Sequence, residues 1–343
     1  MEPVTTNDVL GLMDSYITSA ALNAALELKL FWLLAEQPLD APAIAQLLGI
    51  PANRTQYWLQ LLSTTGLLER GSRGYTPSHS ARTAILDTYS QDTWALLARD
   101  ARDRFPAILD LALHIREPGS TWAARGVRSP DYFAQMVEDP ERARRFTRML
   151  YEIHLPLAEV LAESLSMRGV RRLMDLGGGS GVMSIALLQR HLDLTAVVVD
   201  IANVCAAGRE IAEEQSLEAR LTYHAADFER DDLPSGVDMI LECDVGNYGE
   251  PMFQKIRAAL NPGGRLVIVD HFAPEPGLAP ALAPYPHWAF LSSLERPDRS
   301  YPTTEEVQTR LTHAGFRVLS EKILPDSARM RWTAGWVLIE AGT

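Results

Sequence analysis

From residue 171 onward the chain alternates short apolar runs with helix-like segments, and a cluster of glycines ends the first run. "RRLMDLG" reads as a strand, "SGVMSIALLQRH" as a helix, "LTAVVVDI" as a strand and "CAAGREIAEEQ" as a helix. "LTYHAAD" and "VDMILECD" read as strands, "PMFQKIRAALN" as a helix, "GGRLVIVDHF" as a strand and "TTEEVQTRLTHAGF" as a helix. Strands that are apolar along their whole length have both faces covered, as in a parallel sheet between two helical layers. "RVLSEKILP" and "MRWTAGWVLIEA" flank "DSAR" as a closing antiparallel hairpin. The expected fold over residues 166–343 is therefore α/β, a doubly wound Rossmann-like sheet with a terminal antiparallel hairpin.

The N-terminal part has a different texture. "SAALNAALELKLFWLLAEQ" (19–37) carries apolar residues at helical spacing. "PLDAPAIAQLLGIP" reads as a short helix capped by Asp40 and ended near Gly49, and "PANRTQYWLQLLSTTGLLER" as a third helix closed by Gly66. "LLERGSRGYTPS" gives two short strands around a turn. Three helices and a small β-wing make a winged-helix-like domain over residues 1–100. Residues 101–165 read as a helical linker that contributes to a substrate pocket. It contains a loop-like stretch at 117–133 and a long helix, "FTRMLYEIHLPLAEVLAESL" (146–165).

A winged helix invites a nucleic-acid reading, but the formal net charge is −12. Only Arg54, Arg70 and Arg73 mark the third helix and the wing, and phosphate binding needs many cations. A packing or dimerisation module, and thus a homodimer with no nucleic-acid partner, is expected. No apolar run approaches a membrane span, no signal peptide is read at "MEPVTTNDVLGLMDSY", and Cys205 and Cys243 are the only cysteines. A soluble cytoplasmic protein without a metal is the expectation.

Ligands of open α/β sheets bind beyond the carboxyl ends of the strands, where "DLGGGSG" stands. Gly177, Gly178 and Gly179 permit close backbone approach. Asp175 suits an ammonium rather than a phosphate. Asp200 ends the second strand of the sheet, where a carboxylate takes two ribose hydroxyls. Asp227 can accept from an adenine amino group, and Phe228 can pack on the ring. An ammonium, a ribose and an adenine without phosphates describe S-adenosylmethionine (SAM). A nicotinamide cofactor is disfavoured because the spaced third glycine of G-x-G-x-x-G is missing.

With these motifs the chain resembles the small-molecule O-methyltransferases, the caffeic-acid-type plant enzymes and bacterial polyketide-tailoring enzymes. The resemblance rests on "ALNAALELKLFWLLAEQPLDAPAIAQLLGI", "DLGGGSG", "AADF", "NPGGRLVIVDHFAPEP" and "THAGF". It implies an N-terminal dimerisation domain and a SAM-dependent methyltransferase acting on a small aromatic or polyketide-like metabolite. It places Asp175, Gly177 and Gly179 at the methionine end of SAM, Asp200 at the ribose, and Asp227 and Phe228 at the adenine.

The family's catalytic histidine falls on Gly246, in the altered triplet Gly246-Asn247-Tyr248. A family lysine falls on Glu242, which reads either as a carboxylate near the sulfonium or, by preference, as a solvated strand end. A family acid that orients the histidine matches Asp270, and a second falls near Tyr301. Three chemistries stay open: O-methylation of an acceptor that is already ionised, C- or N-methylation, and SAM-dependent chemistry without methyl transfer. A winged-helix metabolite sensor is a further alternative. Asp270, His271, Tyr248 and Tyr301 are the candidate catalytic groups. Phe146, Met149, Leu150, His154, His287, Trp288 and Leu291 are the candidate substrate contacts.

Overall fold

The structure is a computed structural model that describes residues 5–124, 126, 132–273, 286–296, 301–325 and 335–343, without the side chains of 106, 107, 124, 132 and 286–289. The chain divides into two compact units, Met1–Asp110 and Leu111–Thr343.

In the first unit the apolar stretch 19–37, expected as one helix, is two: Ser15–Glu27 and Leu30–Glu36. Lys29 lies between them in the left-handed region at φ 59°. The break re-aims the chain so that Leu30, Phe31 and Leu34 enter the same core as Ala25 and Leu26. The helix Ala41–Leu48 starts where the Asp40 carboxylate accepts from the Ala43 N–H at 2.9 Å, and ends at Gly49 with φ 66°. Asp40 satisfies an orphan amide, and glycine takes the left-handed cap at little steric cost. The helix Ala52–Thr64 follows, then strands β1 (Leu68–Gly71) and β2 (Gly74–Pro77), paired antiparallel. Leu39 and Tyr75 exchange backbone hydrogen bonds beside β2. The helix Gln91–Ile108 packs on Ser15–Glu27, with Arg102 Nη1 donating to both carboxylate oxygens of Glu27.

The first helix, Thr6–Met13, buries none of its residues. Val9, Leu10, Leu12 and Met13 stand exposed along it, and Tyr16 and Ile17 continue the patch. Among the described residues no single helix is long and apolar enough to cross a membrane.

The second unit is built on a seven-stranded sheet of β3 (Arg172–Leu176), β4 (Thr195–Asp200), β5 (Leu221–Ala225), β6 (Val237–Cys243), β7 (Leu260–Asp270), β8 (Arg317–Ile323) and β9 (Val337–Gly342), in the order β5-β4-β3-β6-β7-β9-β8. Strands β3 to β7 run parallel, and β9 pairs antiparallel with both β7 and β8. The "DSAR" turn between β8 and β9 lies outside the described residues. The chain order reverses between β3 and β6, which sets the switch point there.

Side chains alternate across the sheet. Leu173, Met239, Leu241, Val267 and Val269 meet one helical layer, which includes Pro140–Ser164 and Val182–Arg190. Met174, Leu176, Ile240 and Ile268 meet the other, which includes Glu250–Ala259 and Thr304–His313. The stretch 117–133, expected as loop, contains a short helix, Thr121–Ala124. Thr121 and Trp122 are buried, so tertiary packing orders a segment whose composition favours turns.

Helix and sheet approach closely at Gly208 of the helix Ala202–Glu214. A Cβ there would lie 2.2 Å from a Tyr223 ring carbon. The ring is held by its hydroxyl, which donates to the Ser180 carbonyl at 2.9 Å. Gly208→Ala should therefore destabilise the protein by about 1–3 kcal/mol despite the better helix propensity of alanine. Denaturant unfolding of the variant with an unchanged or higher midpoint would contradict this.

Candidate functional site

The glycine loop is bonded to the end of β4 beside it. The Gly177 N–H donates to the Val199 carbonyl at 2.8 Å. Gly177 and Gly179 have φ 65° and 56°. A Cβ on Gly177 would strike the Val245 side chain at 2.9 Å, whereas one on Gly179 would meet nothing within 4 Å. The loop is thus packed on one side by the 244–248 segment and open at Gly179.

Asp175 is fully buried beneath the loop. Its Oδ2 accepts from the Ser184 hydroxyl at 2.7 Å, and its Oδ1 has no partner among the described residues. A Cβ on Gly178 would fall 2.4 Å from the Asp175 carboxyl carbon, which explains why the loop needs glycine there. Burial pushes the Asp175 pKa up to about 6. Asp200 lies at the end of β4. Its Oδ2 accepts from the Gly179 N–H at 2.9 Å and its Oδ1 from the Ile201 N–H at 2.7 Å. Burial pushes its pKa up to about 6 as well, against the lowering effect of these two bonds. Each oxygen keeps capacity for a further donor.

Phe228 reaches the same loop, its ring 3.5 Å from the position of a Gly177 Cβ. Asp227 is turned into its own bend: Oδ1 accepts from the Glu229 N–H at 3.1 Å, and Arg230 stands 3.5 Å from Oδ2. Sequence reasoning missed Ser184 and Val245. The serine, nine residues after Asp175 on the first turns of the next helix, was the available signal for the first.

Across the switch point, Glu242 contradicts the solvated strand end that sequence favoured. It is 1% exposed, and neither carboxyl oxygen has a hydrogen-bond partner among the described residues. Glu242 pairs in register with Leu176 and with Ile268, interior positions of a seven-stranded sheet, so the strand end is covered rather than wet. Burial, reinforced by the charge of Asp270, pushes its pKa up to about 8.

Asp270, also buried, ends β7 on the same face. It accepts from the Tyr248 hydroxyl, and its Oδ1 accepts from the His271 N–H at 2.6 Å. Burial and the Asp270 charge push the Tyr248 pKa far above the usual tyrosine value. The His271 ring goes the other way, 4.0 Å from the Trp336 ring. Gly246 has φ 75°, a conformation that disfavours a side chain there.

The remaining candidates are more scattered. Tyr301 pairs with Ser292 at 3.4 Å, and Pro302 beside it accepts from the Ala273 N–H at 3.0 Å just past the end of β7. His154 bonds the Leu150 carbonyl through Nδ1 at 3.1 Å, so Nδ1 carries the proton, and desolvation holds the pKa down to about 4. Phe146 packs with Met136, Ala143, Ile201 and Val204, and Ile201 directly follows Asp200 in the chain. Met149 is buried, and Leu150 and Leu291 are half-buried. His287 and Trp288 belong to the helix Pro286–Glu295, but their side chains lie outside the described residues.

Glu242 sets a pH dependence. Its folded pKa of about 8 lies above the ordinary 4.5, so the folded state binds the extra proton between these values. Its contribution to stability is full below about pH 4.5 and is lost as pH rises to about 8. Glu242→Gln should flatten this part of the curve, raising the melting temperature at pH 8 relative to wild type more than at pH 5. Parallel curves for the two proteins would refute the buried acid.

The O-methyltransferase domain family matches residues 110–317, and the O-methyltransferase dimerisation domain family matches residues 10–87. The chain is 33% identical over 261 residues to the 3-hydroxy-5-methyl-1-naphthoate 3-O-methyltransferase of Streptomyces sahachiroi, covering 73% of this chain and 72% of that protein. It is 30% identical over 319 residues to the N,N-dimethyltransferase OxyT of Streptomyces rimosus, covering 90% of each. The solved human N-acetylserotonin methyltransferase in complex with SAM shares the fold, with a TM-score of 0.78 at 21% identity over 100% of this chain and 99% of that one.

Proposed function

The chain belongs to the SAM-dependent O-methyltransferase family, and from that membership we propose that it methylates a small, flat, aromatic or polyketide-like metabolite without a histidine base at position 246. The protein is a SAM-dependent methyltransferase, and its N-terminal match is a dimerisation domain. The family membership does not favour the metabolite-sensor or non-methylating alternatives.

The residues present fit the donor. Asp175 keeps an orphaned buried oxygen suited to an ammonium. Asp200 is fixed by two amides with acceptor capacity left for a diol, and the loop is open at Gly179. Phe228 offers a ring face beside the loop, with Asp227 as the polar partner. When bound, SAM supplies an electrophilic methyl on a sulfonium. The protein's part is to hold the acceptor in line and exclude water, which accelerates transfer by proximity.

The observation that carries the reading of the acceptor half is the state of Tyr248, Asp270 and Gly246. Tyr248 donates to Asp270 and keeps its proton, so it orients Asp270 rather than serving as a base. Gly246 offers no side chain. His154 is held as a neutral imidazole of low basicity, and the His271 ring is engaged with Trp336. Among these described residues none is placed as a base, and the acceptor of this proposal arrives nucleophilic: a phenolate, a neutral amine or an electron-rich ring carbon. We assign Met149, Leu150 and Leu291 to its apolar side, and Tyr301 precedes Pro302, whose carbonyl accepts from Ala273 just past the end of β7. We read residues 101–165 as the helical connector to this pocket, the exposed apolar face of Thr6–Met13 as part of the homodimer contact, and the cytoplasm as its location.

Asp200→Ala should weaken binding of S-adenosylhomocysteine at least about tenfold, since each charge-assisted ribose bond is worth roughly 1.5–3 kcal/mol. Unchanged affinity by calorimetry in a folded variant would remove the cofactor assignment. His154→Ala and His271→Ala should each lower turnover by less than about a hundredfold. A loss of about a thousandfold in either, with cofactor binding intact, would show that a histidine is the base after all. Light scattering should give about twice the 38.0 kDa chain mass, and a monomer at micromolar concentration would count against the homodimer.

A further inference from the structure

The topology divides the site at the β3–β6 switch point. The cofactor residues Asp175, Asp200 and the glycine loop sit on β3 and β4, so the acceptor's half lies over the ends of β6 and β7. Two buried acids stand there on one face of the sheet. Glu242 is opposite Ile268, and Asp270 is two residues further along β7, which makes the two acids diagonal neighbours. Asp270 is engaged by the Tyr248 hydroxyl and the His271 amide. Glu242 is 1% exposed, yet neither of its oxygens has a hydrogen-bond partner among the described residues. No lysine or arginine among the described residues bonds it. Arg310 is directed at the Tyr248 carbonyl at 3.4 Å. The neighbouring groups that act on Tyr248 are Asp270, Glu242 and Asp244, all acidic.

An unpaired buried acid is costly, and a second acid beside it raises the cost. A hydrophobic residue of similar volume would be neutral or stabilising at Glu242 unless the acid has a partner that comes and goes. Hydroxyl donors from a neutral ligand would satisfy the lone pairs of a protonated Glu242 but would not offset the negative charge that its ionisation adds beside Asp270. A cation satisfies both. A metal ion is not the cation this geometry suits, since no group of three or more His, Cys, Asp or Glu among the described residues is arranged to hold one.

We propose that the acceptor half of the site receives a ligand carrying a protonated nitrogen, whose charge Glu242 and Asp270 neutralise. This rests on the methyltransferase reading above and narrows its acceptor to amine-bearing aromatic metabolites. It does not require that the nitrogen itself be methylated. Glu242 enters as a neutral acid in the empty protein and becomes the carboxylate when the ammonium arrives, so binding releases its proton to solvent.

The test is calorimetry on the full chain saturated with S-adenosylhomocysteine, near neutral pH, with two matched probes. One is 1-naphthylmethylamine, a cation on a flat ring, and the other is its neutral isostere 1-naphthylmethanol. The amine should bind at least about tenfold more tightly. Repeating the titration in buffers of different ionisation enthalpy should show release of roughly one proton for the amine and none for the alcohol. Glu242→Gln should abolish both the preference and the proton release while leaving S-adenosylhomocysteine affinity unchanged. Glu242→Met serves the same comparison if the glutamine variant does not fold. Equal affinity for the two probes, or a preference that survives in the variant, would overturn the proposal. If S-adenosylhomocysteine fails to bind the wild type, the cofactor reading fails separately, and the two probes compared on the cofactor-free protein still decide this one.

Discussion

The carboxylate of Asp200, clamped by the Gly179 and Ile201 amides, joins the glycine loop to the end of β4. The loop cannot hold its shape from its own residues, because glycines contribute no side-chain contacts and lose much conformational freedom on ordering. Its order comes from three anchors: Asp200 on one side, the Gly177 bond to Val199 behind, and the Asp175–Ser184 pair beneath. Removing the loop's Cβ atoms is what lets these anchors come close, since a methyl on Gly178 would collide with the Asp175 carboxyl. The opening at Gly179 is the consequence.

Charge is the second constraint. Asp175, Asp200, Glu242 and Asp270 gather at the carboxyl ends of four parallel strands' worth of sheet, and burial works against ionisation of the first three. Sites that shift several pKa values in one direction are characteristic of function rather than stability. A sulfonium donor brings positive charge to one half of this basin. In the proposed reading the acids of the other half are left to the acceptor, and the site is organised around cations rather than around proton abstraction by an imidazole at position 246.

The two units divide the work by surface chemistry. The second unit buries the apolar residues of its central strands between helical layers. The first leaves Thr6–Met13 without a buried residue while keeping a compact core of its own beneath. An exposed apolar stripe of this kind suits association, in keeping with the dimerisation family that matches residues 10–87.

Periodicity alone determined much of the fold. The alternating elements after residue 171, the capped helix from Asp40 to Gly49 and the long helix through 146–165 are local patterns, set by side-chain spacing and by caps that act over three or four residues. The glycine loop and Asp200 were legible for the same reason, because each is a short motif at a strand end. Tertiary structure decided what local pattern leaves degenerate. The break at Lys29 interrupts an unbroken helical periodicity, because two successive turns must bury different faces in one core. The helix at Thr121 forms in a turn-rich segment because Trp122 is buried. Glu242 read as a wet strand end because a carboxylate at the last turn of a strand is ordinarily solvated. Its desolvation comes from neighbours on β3 and β7, Leu176 and Ile268, far apart in the chain. Likewise the Tyr248–Asp270 bond joins residues 22 positions apart, and only the parallel register of β6 and β7 brings that acid, that hydroxyl and Glu242 into one buried basin.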